Sequence, residues 1–222
     1  MTTLPATPFF SVIICTYNRE RLLPRALDSL LRQTETDWEA IIVDDGSADG
    51  TFRVADAYIA ADARFRYMKH QNRGVGFSRT AGVFASLGVY CAFLDSDDEY
   101  LPEHLSSRRA LLEAAPDIDI LHGGAAITGE AFAIDRFDPT KRIPLSQCVL
   151  EGTMILRQEA ARLLGGFGAV RYGEGAALVE RARAAGMRIA TADIPTYIYD
   201  RTTPDSLCST FTGFSETASA AQ

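Results

Sequence analysis

Residues 10 to 19 read FSVIICTYNR, a run of apolar residues that passes directly into a polar segment. The same order recurs further along the chain, where residues 40 to 47 read AIIVDDGS and residues 89 to 98 read VYCAFLDSDD. Apolar runs of this length, bounded by turn residues, are typical of buried strands. In an open parallel sheet, ligands bind outside the carboxyl ends of the strands. These polar strand ends, two of them acidic, therefore predict a site for a ligand that carries a metal ion or cationic and hydroxyl groups.

Segments of helical periodicity follow the predicted strands of the first half. Leu22, Ala26 and Leu30 recur at helical spacing, Asp49 suits the N-cap of a second helix, and a third helix is predicted over 74–87. The other strands of this half are predicted over 38–43, over 65–69 and up to residue 95. Strands that alternate with helices in this way predict an α/β fold, with a parallel sheet and helices on both faces.

The second half is less regular. Strands are predicted over 118–127 and 148–156 around an exposed loop at 135–142, followed by helices over 158–164 and 175–185 and short strands near 188–190 and 196–199. We expect one domain over 1–222, with a ligand-binding half at 1–115, a second half at 116–211 and a frayed tail at 212–222.

Composition excludes several classes of protein. The 222 residues are 47% hydrophobic, which is enough for a core, and the net charge of −7 argues against nucleic acid as the main partner. Cys15 and Cys91 lie in predicted buried strands, and no CxxC pair is present, so reduced thiols and a cytoplasmic location are expected. The sequence shows no leader peptide and no apolar run of about 18 residues, which predicts a soluble chain but leaves peripheral membrane association open.

The DSD segment at 95–97 is the sharpest chemical feature. Asp95 and Asp97, on either side of Ser96 where a buried strand meets a loop, can converge on one divalent cation. Mg²⁺ and Mn²⁺ prefer oxygen ligands and are commonly shared between carboxylates and substrate phosphates. The alternative is a solvated turn, since Asp and Ser favour turns. The second acidic strand end, at residues 44–45, favours the metal-binding interpretation.

Other strand ends offer groups for a nucleotide. Asp44 is placed either to accept hydrogen bonds from a ribose or a base, or to cap the turn that follows it. Tyr17 is placed either to stack on a base, a contact worth about 1–3 kcal/mol, or to pack on the next helix. Residues 72–79, NRGVGFSR, are similar to a phosphate loop, but Arg79 stands at the third glycine position of the dinucleotide motif. An anion contact and a glycine-eased turn both stay open there.

Four motifs occur in one order: SVIICTYNR at 11–19, VDDGSADGT at 43–51, NRGVGFSR at 72–79 and FLDSDDEYLP at 93–102. Their order and spacing resemble those of the family 2 glycosyltransferases of GT-A fold. The resemblance is strong over 10–113, continues more weakly through LLGGF at 163–167 and YGE at 172–174, and includes a closing basic segment at 201–207. It implies that the chain transfers a sugar, with inversion, from a nucleoside-diphosphate sugar to a hydroxyl group. We expect a UDP-linked donor and a carbohydrate or lipid-linked acceptor. The implied cofactor is Mn²⁺ or Mg²⁺.

The resemblance also implies a role for each candidate residue. The base would stack on Tyr17, with Thr16 and Asn18 lining its pocket, and Asp44 would bind the base or the ribose. Arg79 would lie near the diphosphate. The metal-binding DxD motif would consist of Asp95, Ser96 and Asp97. Of the two aspartates, Asp97 is expected to be the more direct metal ligand.

The sequence departs from the family pattern at the catalytic base. Family members usually have Glu-Asp where this chain has Glu174 and Gly175, and the aspartate deprotonates the acceptor hydroxyl. Glu174 is the expected substitute because its longer side chain can reach further, with Glu180 and Asp205 as other candidates. A histidine often found in the closing segment is replaced by Thr at 202–203.

Three hypotheses follow. The first is an active inverting glycosyltransferase, and the second is a degenerate or partner-dependent relative that binds the donor but has lost its base. The third is a phosphatase with an aspartate nucleophile, which is disfavoured because such chemistry needs its acidic motif on the first strand, and residues 10–19 contain no carboxylate.

Overall fold

The computed structural model describes residues 7–170 and 172–202, which form twelve strands and six α-helices. The strands are β1 (Phe10–Thr16), β2 (Trp38–Asp44), β3 (Phe65–Lys69), β4 (Tyr90–Phe93), β5 (Glu99–Tyr100), β6 (Ile120–His122), β7 (Ala125–Gly129), β8 (Phe132–Ile134), β9 (Arg142–Pro144), β10 (Ile155–Arg157), β11 (Ile189–Thr191) and β12 (Tyr197–Arg201). The helices are α1 (Leu23–Leu31), α2 (Thr51–Ala61), α3 (Val75–Ala85), α4 (His104–Ala114), α5 (Gln158–Leu163) and α6 (Glu174–Ala184).

Seven strands form one sheet in the order β11-β6-β10-β4-β1-β2-β3. Strand β1 is parallel to β2 and β4, β2 is parallel to β3, and β6 is parallel to β11. Strand β10 runs antiparallel to both of its neighbours. The predicted α/β class with a mostly parallel sheet is therefore confirmed. Both halves of the sequence contribute strands to this sheet.

Helices cover both faces of the sheet, as strand β1 shows. Val12 and Ile14 belong to an apolar cluster that includes residues of α1, α2 and α4. Ile13, between them, belongs to a second cluster on the opposite face, with residues of α3, α5 and α6. Successive side chains of a strand point to opposite faces, so an unbroken apolar run is what a strand covered on both sides requires.

The strand register brings the predicted site residues to one edge of the sheet. Thr16, at the end of β1, lies opposite Asp44, at the end of β2. On the other side of β1, Phe93 lies opposite Ile13, so the loop that contains the DSD segment leaves the sheet at the same edge. Parallel pairing of β1 with both neighbours therefore gathers the three polar strand ends.

Two predicted strands of the second half are wrong in extent. The segment 118–127 is divided into β6 and β7 by Gly123 and Gly124, whose φ angles of +100° and +81° interrupt the extended backbone. Within 148–156, only the residues of β10 pair as a strand, because residues Glu151–Thr153 form a 3₁₀ turn. In that turn the Thr153 hydroxyl donates to the carbonyl of Leu150 at 2.7 Å, a local bond that replaces strand pairing.

Three further expectations can be compared with the structure. Helices over 158–164 and 175–185 are confirmed as α5 and α6, to within one residue at each end. The cap of α2 differs by one position: Gly50 is the N-cap, and Asp49 accepts from the amide of Thr51 at 3.0 Å. Among the described residues, no helix is long and apolar enough to cross a membrane.

The smaller sheets lie beside the site. One has the order β5-β12-β7, and the other is the hairpin β8-β9, whose connection contains the predicted exposed loop at 135–142. Phe137, in this connection, is 78% exposed.

Helix α3 approaches β1 closely because residue 82 has no side chain. A Cβ at Gly82 would lie 3.0 Å from Ile13 Cγ1 and closer still to Cγ2. We predict that Gly82→Ala lowers the free energy of unfolding by about 1–3 kcal/mol, as overpacking does, although alanine is the better helix former. Urea unfolding measures the change.

The matched control is the same substitution in an Ile13→Ala background, where the opposing methyl groups are removed and the penalty should disappear. A Gly82→Ala protein that is more stable than the wild type would show that helix propensity outweighs this contact.

Candidate active site

A cavity of about 780 Å³ lies at the carboxyl edge of the sheet. This volume is within the range of about 300–1,000 Å³ that is usual for ligand pockets. The cavity brings together all but one of the residues predicted for the site, namely Thr16, Tyr17, Asn18, Arg79, Asp95, Ser96, Asp97 and Glu174. The exception is Asp44.

The loop after β1 forms one wall of the cavity. The backbone of Asn18 has a φ of 51°. Its side-chain Oδ1 accepts from the backbone amide of Ala48 at 2.8 Å, and its backbone amide donates to Ser47 Oγ at 2.9 Å. These bonds fix the first loop on the second. Tyr17 is 47% exposed and lines the cavity. Thr16 Oγ1 is buried without a hydrogen-bond partner among the described residues, which leaves an unsatisfied polar group beside the cavity.

The structure places Asp44 away from the cavity. Its side chain is fully buried and does not line the cavity. One carboxylate oxygen accepts from the amide of Ser47 at 2.7 Å, and the other accepts from the hydroxyl of Tyr67 at 2.6 Å. Asp44 therefore caps the turn, and the next residue, Asp45, lines the cavity instead.

Asp45 also explains the loop at 72–79. Its carboxylate accepts from the amides of Arg73 at 2.7 Å and Gly74 at 2.8 Å, just before α3 begins. Gly74 has a φ of +91°, which favours glycine. The amides that a phosphate loop would offer to an anion are thus already bonded to an internal carboxylate. The structure shows a glycine-eased turn at this position.

The two aspartates of the DSD segment have different surroundings. Asp95 accepts from Arg79 Nη2 at 2.7 Å. No hydrogen bond from another described residue reaches the carboxylate of Asp97, while its carbonyl accepts from Arg25 Nη2. Burial, and then the charge of Asp95, raise the pKa of Asp97 to about 6. A cation beside Asp97 would relieve both effects.

Asp98, the next carboxylate, has a structural role that the sequence analysis missed. It is buried, and it accepts from the hydroxyl of Tyr197 and from the amide of Asp200, the latter at 2.8 Å. Burial, followed by the charges of Asp95 and Asp97, raises its pKa. Asp98 therefore fastens the DSD loop to β12, and does not line the cavity.

The donor set at Asp95 and Asp97 fits a hard divalent cation, since both residues offer carboxylate oxygens to the cavity. Among the described residues, however, no group of three or more His, Cys, Asp or Glu side chains is arranged to hold a metal. Mg²⁺ and Mn²⁺ need about six ligands, so a substrate or water would have to supply the others.

Arg79 connects the DSD loop to the second half of the chain. It is buried, and its two terminal nitrogens donate to different carboxylates: Nη2 to Asp95 at 2.7 Å and Nη1 to Glu174. The guanidinium stays charged at any physiological pH, so both carboxylates permanently share its single positive charge. Glu174 is also buried, as the first residue of α6.

Carboxylates near the start of α6 differ in their partners. Glu151, from the 3₁₀ turn, lines the cavity and accepts from the amide of Gly175 at 2.7 Å. Burial, and then the charge of Glu174, raise the pKa of Glu151. Glu180, one of the alternative bases, is bound by Arg136 at 2.6 Å.

Asp205, Thr203 and the predicted tail at 212–222 lie outside the described residues.

The described cysteines are free thiols, as predicted. Burial raises the pKa of Cys15 to about 12 and that of Cys91 to about 11, so both stay protonated. Cys15 borders the cavity but is not a nucleophile at neutral pH.

Solved structures of other proteins have the same arrangement of strands and helices. TarS 1–349 of S. aureus in complex with UDP-GlcNAc superposes with a TM-score of 0.71 at 23% identity, over 87% of this chain and 59% of that one. The mannosyltransferase PcManGT of Pyrobaculum calidifontis, in complex with GDP-Man and Mn²⁺, superposes with a TM-score of 0.71 at 17% identity, over 92% of this chain and 59% of that one. These likenesses show that the fold is GT-A.

Sequence comparisons support the same assignment. The chondroitin synthase of Escherichia coli is 38% identical over 101 residues, which are 46% of this chain and 15% of that protein. The chain spans less than a third of the length of the first curated relatives that it matches. The family described as Glycosyl transferase family 2 matches residues 11–137, which is more than half of the chain. The chain therefore belongs to glycosyl transferase family 2.

Proposed function

We propose that this chain is a metal-dependent glycosyltransferase, which moves a sugar from a UDP-linked donor to a hydroxyl acceptor with inversion. The observation that carries the proposal is the cavity at the strand ends, where the carboxylate of Asp97 receives no hydrogen bond from another described residue. A cation bound there would offset the burial and the charge of Asp95 that raise the pKa of Asp97, and a nucleoside diphosphate binds the same kind of cation.

Residues of the first half would hold the donor. Tyr17 has an exposed ring for the base, and the unsatisfied hydroxyl of Thr16 is placed to bond the same ligand. Asp45 takes the place that the resemblance suggested for Asp44, because only Asp45 lines the cavity. Arg79 would act on the diphosphate indirectly, by fixing the position of Asp95.

Asp97 and Asp95 would hold the divalent cation. When bound, Mg²⁺ or Mn²⁺ supplies positive charge that stabilises the departing diphosphate. The carboxylates of the chain would keep this charge at the edge of the sheet.

The relatives guide the choice of ligands. TarS is described with UDP-GlcNAc, and the archaeal mannosyltransferase with GDP-Man and Mn²⁺. We take a uridine nucleotide as the donor and divalent metal as the cofactor on this basis. We take a carbohydrate or lipid-linked acceptor from the resemblance to the family, and a chondroitin synthase is among the proteins that are similar to this chain.

A second candidate function is favoured by Gly175. An enzyme of this class needs a base near the acceptor hydroxyl, and glycine offers none. The chain would then bind nucleotide sugars without transferring them, alone or with a partner. Glu174, which we considered as the substitute, is buried and paired with Arg79.

We predict that uridine diphosphate binds in the presence of Mn²⁺ and far more weakly with a chelator. Phosphates cannot approach Asp95 and Asp97 without a bridging cation, because like charges in a cleft repel. Isothermal titration calorimetry with and without EDTA measures the difference, and guanosine diphosphate serves as the control for base preference. Equal affinity in both conditions would contradict the metal assignment.

We predict that Asp97→Asn abolishes this metal-dependent binding, while the melting temperature at neutral pH stays the same or rises. The pKa of Asp97 is raised to about 6, so its charge at neutral pH is less favourable in the folded chain than in the unfolded one. Removal of that charge therefore costs no stability.

The control is Asp56→Asn on the exposed surface of α2, which should change neither measurement. A large drop in melting temperature for Asp97→Asn would instead identify Asp97 as a structural turn residue.

A further inference from the structure

A side chain from another segment lies beside Gly175, where family members usually have an aspartate. A Cβ at Gly175 would lie 2.6 Å from Glu151 Oε1, 2.8 Å from its Cγ and 2.9 Å from its Cδ. These distances are shorter than real Cβ contacts, so Glu151 fills the space that a side chain at 175 would enter. Glu151 comes from a turn more than twenty positions earlier, which no local motif would reveal.

Glu151 is held in this position from two sides. Its Oε1 accepts from the amide of Gly175 at 2.7 Å, the only hydrogen bond that its carboxylate receives from another described residue. The turn beneath it is fixed by Thr153, whose hydroxyl accepts from the amide of Gly123 at 3.0 Å and donates to the carbonyl of Leu150. The carboxylate is thus oriented where it lines the cavity.

Glu151 lies near Asp95, one of the two carboxylates proposed to hold the metal. It lines the main cavity, and it shares with Asp95 a smaller cavity of about 20 Å³. Glu174, its neighbour on α6, is occupied by Arg79. Glu151 accepts no hydrogen bond from a guanidinium of the described residues, so the two glutamates differ in their partners. Burial, and then the charge of Glu174, raise the pKa of Glu151.

We propose that Glu151 is the catalytic base of this chain and replaces the aspartate that Gly175 lacks. The proposal rests on the proposed glycosyltransferase function and assigns the residue that completes it. Glycine at 175 then has a physical reason, because a side chain there would displace Glu151.

The carboxylate of Glu151 takes the proton of the acceptor hydroxyl while that oxygen forms a bond to the anomeric carbon of the donor sugar. The bond from the anomeric carbon to the diphosphate oxygen breaks, and its electron pair leaves with the nucleoside diphosphate. The proton remains on Glu151 and passes to solvent after the product departs.

The first test is Glu151→Gln, measured by the release of uridine diphosphate from UDP-GlcNAc, UDP-glucose and UDP-galactose with Mn²⁺, with water as the acceptor. The amide oxygen of glutamine can still accept from Gly175, so the cap of α6 is kept and only the basic group is lost. We expect release to fall by about 10²–10⁴-fold, with the affinity for uridine diphosphate unchanged. Glu159→Gln, an exposed position of α5, is the matched control and should keep wild-type release.

The second test moves the carboxylate. Gly175→Asp alone should lower release, because its side chain collides with Glu151 and two carboxylates compete for one site. Glu151→Ala with Gly175→Asp should release more than Glu151→Ala alone, since the vacated space admits the new aspartate. If Gly175→Asp alone raises the release of uridine diphosphate above that of the wild type, an aspartate at position 175 is a better base than Glu151, and the proposal is overturned.

The outcomes separate this proposal from the function on which it rests. Wild type that binds uridine diphosphate but releases it from none of the three donors overturns the role of Glu151 and supports the degenerate relative. Release that is insensitive to Glu151→Gln also overturns it, and a parallel loss in Glu174→Gln would transfer the role to Glu174. Failure of uridine and guanosine diphosphates to bind at all contradicts the proposed function itself.

Discussion

One buried guanidinium organises the site. Arg79, on α3, donates to Asp95 in the loop after β4 and to Glu174 at the start of α6, so a single side chain joins the two halves of the chain. Without it, two carboxylates would face each other beside a poorly solvated cavity. Removal of one partner from a buried ion pair typically costs about 3–5 kcal/mol, because the remaining charge is left uncompensated. The position of the DSD loop and the start of α6 both depend on this contact.

Adjacent carboxylates at the strand ends differ in whether they reach the cavity. Asp44 turns inward and caps its own turn, whereas Asp45 borders the cavity and also accepts from two backbone amides. Asp97 borders the cavity, whereas Asp98 turns inward and bonds Tyr197. Each inward carboxylate accepts from one backbone amide and one tyrosine hydroxyl. The turn is therefore rigid before any ligand arrives, and the outward carboxylate is held in place for it.

The sequence allows prediction of what depends on local patterns. Apolar runs define β1 and β2 because strands buried on both faces need them, and polar residues at their ends indicate the edge where ligands bind. The choice between Asp44 and Asp45 was not predictable, since adjacent residues of a turn differ only in direction. Glu151 was missed because its role arises from the packing of two distant segments at Gly175. A lone glutamate in an expected strand carries no signal of such a contact.

We infer that the strand ends and the Arg79 contacts form one preorganised donor site. A crystal structure with uridine diphosphate and Mn²⁺ would show whether they do. We expect the uracil on the ring of Tyr17, the metal between the diphosphate and Asp97, and Arg79 still bonded to Asp95 and Glu174. A nucleotide bound outside this cavity, or a metal that contacts neither Asp95 nor Asp97, would contradict it.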